Sequence, residues 1–339
     1  NCSNVNNQVF IIAEAGVNHN GNLDMAFKLV DAAVNVGADA VKFQTFTAAA
    51  LVSPNTQKVA YQMDTTPHEE SHYDMLKQLE LSKKEHQLLF KYCVEKGIEF
   101  ISTPYDIESA KFLNELGVQT YKTASADIVD LTLHNFLSKT GKNVIIATGM
   151  ATLGEIEEVV NIYPDKNKIT LLHCVSNYPC SIESLNLKAM QTLKCAFNVN
   201  VGYSDHSIGS LAAIISVALG GTVVEKHFTL DKTLPGPDQR ASSDCLEFSE
   251  LVDSIRAAEV ALGTHAKFCQ PEEAEMAAVS RKSIVLSKNV KKGEKITAEH
   301  IALKRPGTGL YAREIENILN KKSRHDLSKD HILSWGDFY

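Results

Sequence analysis

At 339 residues, 44% of them hydrophobic, the chain is long enough for one large domain, or for a large and a small one, with a sizeable core. A formal net charge of −7 argues against a nucleic-acid binder, which needs a basic face for phosphates. No apolar run is long enough to span a bilayer, no basic-then-apolar segment opens the chain, and seven scattered cysteines form no CxxC pair, so a cytoplasmic protein with reduced thiols, engaging neither nucleic acid nor membrane, is expected.

Eight strand-like runs follow in order, each trailed by a helix-like segment. VFIIAEAG (9–16) carries Glu14, with Asn18 and His19 just beyond it. The amphipathic NLDMAFKLVDAAVNVGA comes next, and Gly37 suits its C-terminus. AVKFQTF (40–46) carries Lys42 and Gln44, and after the helical SKKEHQLLFKYCVEKG comes EFISTP (99–104), with Ser102 and Thr103. TYKTAS (120–125) brings Lys122 and Ser125, NVIIATGM (143–150) brings Thr148, and ITLLHCVS (169–176) ends on Ser176, two residues before Tyr178. NVGYSD (200–205) carries Ser204 and Asp205 and runs into His206; TVVEKHF (222–228) carries Glu225, Lys226 and His227. LEFSELVDSIRAAEVALG (246–263) reads as the closing helix.

Near-continuous Val/Ile/Leu runs indicate strands buried on both faces, as in a parallel sheet. Eight β–α alternations predict a closed (β/α)8 barrel over residues 1–263. An open doubly wound sheet is the other arrangement, but its GxGxxG signature is missing, since GVNHNG follows the first strand. Residues 264–278 are polar and irregular, as a linker would be. Residues 279–339 alternate short strands with Lys-Gly turns and predict a small, mostly β domain.

In such barrels active groups sit at the C-terminal strand ends. Here almost every strand ends in a polar or charged residue. A lone polar residue at a strand end is ordinary, because strand ends meet solvent; it is their number around one mouth that matters. Lys42 and Lys122, embedded in apolar strands beside hydroxyls, suit the phosphate or carboxylate of a small anion, because an ammonium buried without a partner is costly. His206 and His227, at successive strand ends, are either structural or an open two-imidazole metal site. Cys174, beside His173, reads as a small buried side chain rather than a nucleophile.

IIAEAGVNHNGNLDMA, GADAVKFQTF, FISTPYD, YKTAS, ATGMATLGEI, LLHCVSNYP, VGYSDHSIG, VVEKHFTLDKTLPGPD and KRPGTG, in this order, resemble the sialic acid synthase family, the N-acetylneuraminate synthases and their nonulosonate relatives. The resemblance spans nearly the whole chain. It implies a barrel followed by an antifreeze-like (SAF) domain, and condensation of phosphoenolpyruvate with an N-acylated mannosamine-type sugar and water to give a 2-keto acid and phosphate. It assigns phosphoenolpyruvate to Lys42, Thr103, Lys122, Ser125 and Ser204. It assigns a Mn²⁺ or Mg²⁺ ion to His206 and His227, where the ion polarises the sugar aldehyde. Glu14 would manage water or protons, and Gln44, Tyr178 and Asp238 would contact the sugar. Arg305, in a domain-swapped homodimer, would reach the N-acyl group in the partner's barrel.

Three departures from the family pattern bear on sugar identity. Ala147 stands where a serine is common, Ala126-Asp127 replaces a Gly-Glu, and Gln239 replaces a frequent histidine. N-acetylmannosamine, giving N-acetylneuraminate, is the expected acceptor. A 2,4-diacetamido-2,4,6-trideoxy hexose, leading to legionaminate or pseudaminate, is the alternative; TTPHEESHYDMLKQLELS (65–82) and TLDKTLPGPD lean away from pseudaminate. A carbohydrate-binding protein without catalysis would show eroded strand ends, and a metal-dependent aldolase would lack the C-terminal domain.

Overall fold

The computed structural model describes residues 8–53, 56–58, 60–63, 66 and 70–339. Cys2, and residues 65 and 67–69 of the stretch read for sugar preference, lie outside the described residues. The chain divides into two compact units, Asn1–Gly263 and Thr264–Tyr339.

The first unit is a closed parallel barrel of eight strands in sequence order. They are β1 (Phe10–Gly16), β2 (Ala40–Thr45), β3 (Glu99–Pro104), β4 (Thr120–Thr123), β5 (Asn143–Ala147), β6 (Ile169–His173), β7 (Asn200–Asp205) and β8 (Val223–His227). β1 pairs with β8 to close the ring, with Glu14 opposite His227. This is the (β/α)8 architecture expected from the eight runs. The helices between strands start where local chemistry directs them. Ser82 with Glu85, Thr152 with Glu155, and Asp244 with Glu247 form capping boxes that satisfy backbone N–H groups at the helix N-termini. The last helix, Cys245–Leu262, packs beside the helix Leu211–Ala218.

The period of two along each strand sorts the side chains. One set, including Ile11, Ala13, Val41, Phe43, Val144, Ile146, Leu171 and Val224, packs in the large core shared with the helices. The other set faces the barrel axis. Ile12, Ala40, Ile101, Ile145, Leu172 and Val223 form an apolar floor there. Two residues further along the same strand faces come Glu14, Lys42, Thr103, Ala147 and Glu225. The barrel's apolar packing therefore ends one layer below its charged mouth.

The second unit pairs β9 (Ser283–Leu286) with β10 (Ile301–Lys304) in an antiparallel ladder. Isolated bridges and short helical turns complete it around Ile284, Leu286, Val290, Ile296, Ile318, Leu327, Leu333 and Phe338. Part of the stretch read as an irregular linker is ordered: a helix runs over Ala274–Ser280, and Gly307 N–H donates to Ala278 O. Its apolar residues, Ala274, Met276, Ala277, Ala278 and Val279, fall all round the axis and none is buried, so no one-sided apolar stripe marks it in the sequence. The six cysteines among the described residues are free, and no helix there is long and apolar enough to cross a membrane.

Candidate active site

The barrel mouth holds a cavity of about 860 Å³. Glu14, Lys42, Gln44, Thr103, Lys122, Ser125, Tyr178, Ser204, His206, His227 and Asp238 all line it. Every residue to which the family resemblance assigned a role is thus in one cavity except Arg305, which is exposed in the second unit on the turn after β10. Of the other strand-end residues, Ser176 and Glu225 line the cavity, whereas Asn18, His19, Ser102, Thr148, Asp205 and Lys226 do not. Ala147 lines the cavity with them, and Val17, Leu51, Val52, Met75, Leu76 and Leu79 supply an apolar wall.

The floor carries alternating charges. Lys42 Nζ lies 2.8 Å from Glu14 Oε2 and 3.8 Å from Glu225 Oε1, and Lys122 Nζ lies 3.6 Å from the same Glu225 oxygen. Lys42 also donates to Thr103 Oγ1 at 3.2 Å, and Gln44 Nε2 donates to Glu14 Oε1 at 3.2 Å. All four charged groups are buried. Burial pushes the Glu14 carboxyl up to about 7, against the pull of Lys42. Burial also acts to raise Glu225, but Lys122 and Lys42 outweigh it and hold that carboxyl down at about 2. For Lys42 burial opposes the ammonium, yet Glu14 and Glu225 hold its pKa above the usual value; Lys122, where burial dominates, lies below it. Two buried ammonium groups thus sit beside carboxyls whose acidities their partners set far apart, and each ammonium can offer charge-assisted hydrogen bonds to an anion.

Hydroxyls flank this floor. Ser204 Oγ donates to Glu225 Oε1 at 3.2 Å, and Ser125 Oγ accepts from Gly149 N–H at 3.0 Å. A Cβ at Gly149 would lie 2.3 Å from Ser176 Oγ and 2.8 Å from Ser125 Oγ, so only glycine lets the two hydroxyls converge there. Cys174 Sγ sits 3.1 Å from Ser125 Oγ, and burial pushes its thiol up, which keeps it protonated and unreactive.

Across the cavity the two imidazoles lie with ring centroids 5.8 Å apart, and the Tyr178 ring packs against both. His206 Nδ1 is 2.7 Å from Val175 O. A carbonyl only accepts, so Nδ1 carries the proton and Nε2 keeps its lone pair. Burial lowers the pKa of His206; burial, with His206 and Lys42 alongside, takes His227 down to about 3. Both rings are therefore neutral, the form that binds metal. Among the described residues no three His, Cys, Asp or Glu side chains are grouped as a metal cage. Asp238 Oδ2 lies 4.0 Å from His227 Nδ1, and burial raises its carboxyl to about 6.

Glu225 was visible at a strand end yet carried no role in the sequence reading. The signal was the alternation in Glu225-Lys226-His227, which puts Glu225 and His227 on one face and Lys226 on the other. Lys226 points away from the cavity and pairs at 2.7 Å with buried Asp205, while also donating to Ser207 O. Of the departures noted in the sequence, Ala126 and Ala147 line the cavity, whereas Asp127 and Gln239 do not. Burial and nearby Asp130 raise the Asp127 carboxyl to about 7.

The NeuB family model matches residues 29–267, and the SAF domain model matches residues 281–338. The chain is 45% identical to the N,N'-diacetyllegionaminic acid synthase of Legionella pneumophila, over 96% of this chain and 93% of that protein. It is 42% identical to the N,N'-diacetyllegionaminic acid synthase of Campylobacter jejuni, over 96% of this chain and 99% of that one. Among solved structures, the N-acetylneuraminic acid (sialic acid) synthetase of Leptospira borgpetersenii, in complex with citrate, is similar with a TM-score of 0.70. The two are 36% identical, over 81% of this chain and 94% of that one.

Proposed function

This chain belongs to the NeuB family, and from that premise we propose that it is a phosphoenolpyruvate-dependent synthase of a nonulosonic acid. It would join phosphoenolpyruvate, an N-acylated amino sugar and water into a 2-keto acid and phosphate. The observation that carries this reading is the meeting in one cavity of two buried ammonium groups, several hydroxyls and two neutral imidazoles.

Lys42 and Lys122 bind the phosphate and carboxylate by charge-assisted hydrogen bonds, and Thr103, Ser125 and Ser204 add directional donors. Glu225 stays ionised between the lysines and keeps both charged. His206 and His227 would hold a divalent ion. The donor set fits, since two neutral imidazoles leave other positions open, and nitrogen donors favour Mn²⁺ over Mg²⁺. Such an ion would supply Lewis-acid polarisation of the sugar's aldehyde group, and the new carbon–carbon bond joins C3 of phosphoenolpyruvate to the aldehyde carbon. Gln44 orients Glu14, and Glu14 takes the proton of the water that adds at C2 before phosphate leaves. Tyr178 and Asp238 bind sugar hydroxyls. Arg305 of a second copy, in a domain-swapped dimer, contacts the N-acyl group.

Two acceptors stand within this reading. N-acetylmannosamine would give N-acetylneuraminate; a 2,4-diacetamido-2,4,6-trideoxy hexose would give the legionaminate type. The 45% and 42% identities to two N,N'-diacetyllegionaminic acid synthases support the second, and the apolar wall suits a second acetyl group and a deoxy carbon. The test is phosphate release from phosphoenolpyruvate against both sugars and a no-sugar control, before and after EDTA dialysis. The reading expects sugar-dependent release, highest with the diacetamido sugar, lost on chelation and restored by Mn²⁺. Silence with every N-acylated amino sugar contradicts the function; full activity after chelation contradicts the metal.

A further inference from the structure

We propose that Gln239, together with Asn18 and Asn20, is a positioning clamp that aims Asp238 into the cavity. This rests on the reading that Asp238 binds the acceptor sugar. Pro237 and Asp238 line the main cavity, but the loop that carries them, between β8 and the helix Cys245–Leu262, has only the short turn Gln239–Ala241 as regular structure. What holds it is the other loop, just after β1.

Gln239 is fully buried and uses both ends of its amide. Its Nε2–H donates to Asn18 O at 2.8 Å, and its Oε1 accepts from Thr229 Oγ1. Asn18, also buried, donates through Nδ2 to Phe228 O and to Ser242 Oγ, both at 2.9 Å. Ser242 Oγ in turn donates to the Asp238 carbonyl at 2.6 Å. Asn20 Nδ2 donates to Pro235 O at 2.8 Å. The loops also touch closely at Gly236 (φ +140°), where a Cβ would lie 2.8 Å from Asn20 Oδ1 and 3.2 Å from Gln239 Cγ. The backbone of Asp238 is therefore held from both sides, through Ser242 and through Gln239, with its carboxylate 4.0 Å from His227 Nδ1. Asn18, Asn20 and Gln239 do not line the cavity, so they act on substrate only through what they hold. A binding carboxylate works through its placement, and a shift of about an ångström at such a group is costly.

The amide's two roles give a sharp test. Gln239→Glu is nearly isosteric and still accepts from Thr229, but it turns a carboxylate oxygen toward Asn18 O where a donor is needed. Gln239→His restores one donor and one acceptor as a neutral imidazole. The clamp predicts that Gln239→Glu raises the acceptor-sugar KM by roughly tenfold and leaves the phosphoenolpyruvate KM within about twofold, while Gln239→His behaves like the parent chain. Should Gln239→Glu fail to fold, Asn20→Gly serves. Glycine accepts the φ of +50° at that position and deletes only the side chain, and the same constant should rise by a smaller factor. Asp238→Asn is measured alongside. If Asp238→Asn raises the sugar KM and Gln239→Glu does not, or if folded Gln239→Glu raises both KM values alike, the clamp is overturned and the function stands. If Asp238→Asn leaves the sugar KM unchanged, Asp238 is not a sugar ligand and both the assignment and the clamp fall.

Discussion

Glu14 and Glu225 are both buried carboxylates beside Lys42, yet burial takes one up to about 7 and lysine charge holds the other at about 2. The difference is in the partners: Glu225 lies between two ammonium groups, whereas Glu14 faces one ammonium and a neutral amide. Of these two, Glu14 is the one poised to exchange a proton near neutral pH. Acting as a base it must be ionised, so kcat/KM, which reports groups of the free enzyme, should rise with pH through about 7. Glu14→Gln should lower kcat by about 10²–10⁴-fold and remove that limb, and a pH-rate profile on both forms checks it. An unchanged limb in the Gln form would assign the titration elsewhere. The residue types of this site were legible in the sequence because charged residues inside Val/Ile/Leu runs are costly without partners. The division of labour was not, because it depends on distances of 2.8–3.8 Å between residues on four different strands.

At the level of elements, the period of two does most of the positioning. Ile12 leads to Glu14, Ala40 to Lys42, Ile101 to Thr103 and Val223 to Glu225, each apolar floor residue placing a functional group one pleat above it. Strands and their order were therefore readable from apolar runs alone. The loops were not, since Gln239 is spoken for by Asn18 and Thr229, partners remote in sequence or set by a turn. The helix layer offers a further test. His134, on Leu131–Lys139, is buried and hydrogen-bonded at 2.8 Å to the Tyr163 hydroxyl beyond Leu153–Ile162. Burial lowers its pKa to about 4 from 6.5. The unfolded imidazole takes a proton at a higher pH than the folded one, so its contribution is complete above about pH 6.5 and is lost as pH falls toward 4. Urea unfolding between pH 7 and 4 should show stability falling by an amount on the order of a few kcal/mol, and His134→Phe should flatten part of that fall. Parallel pH curves for the two proteins would contradict it.

On the scale of the whole molecule, the barrel carries the proposed chemistry and the small unit carries Arg305. The two units and the families they match are consistent with a division of labour in one polypeptide. If Arg305 serves a partner's barrel in a C2 dimer, each site is built from two chains. Mixing Arg305→Ala subunits with His206→Ala subunits, each inactive alone, should then recover part of the activity. No recovery between subunits shown to exchange would mean that Arg305 acts within its own chain or not at all. In the proposed reaction, phosphate leaves phosphoenolpyruvate only as part of carbon–carbon bond formation, by addition of water at carbon. Phosphate released in ¹⁸O-enriched water, read by the isotope shift in its ³¹P spectrum, tests this most directly. Carbon–oxygen cleavage gives sugar-dependent phosphate that contains no solvent oxygen; phosphate carrying ¹⁸O, or released at the same rate without sugar, would contradict the proposed reaction.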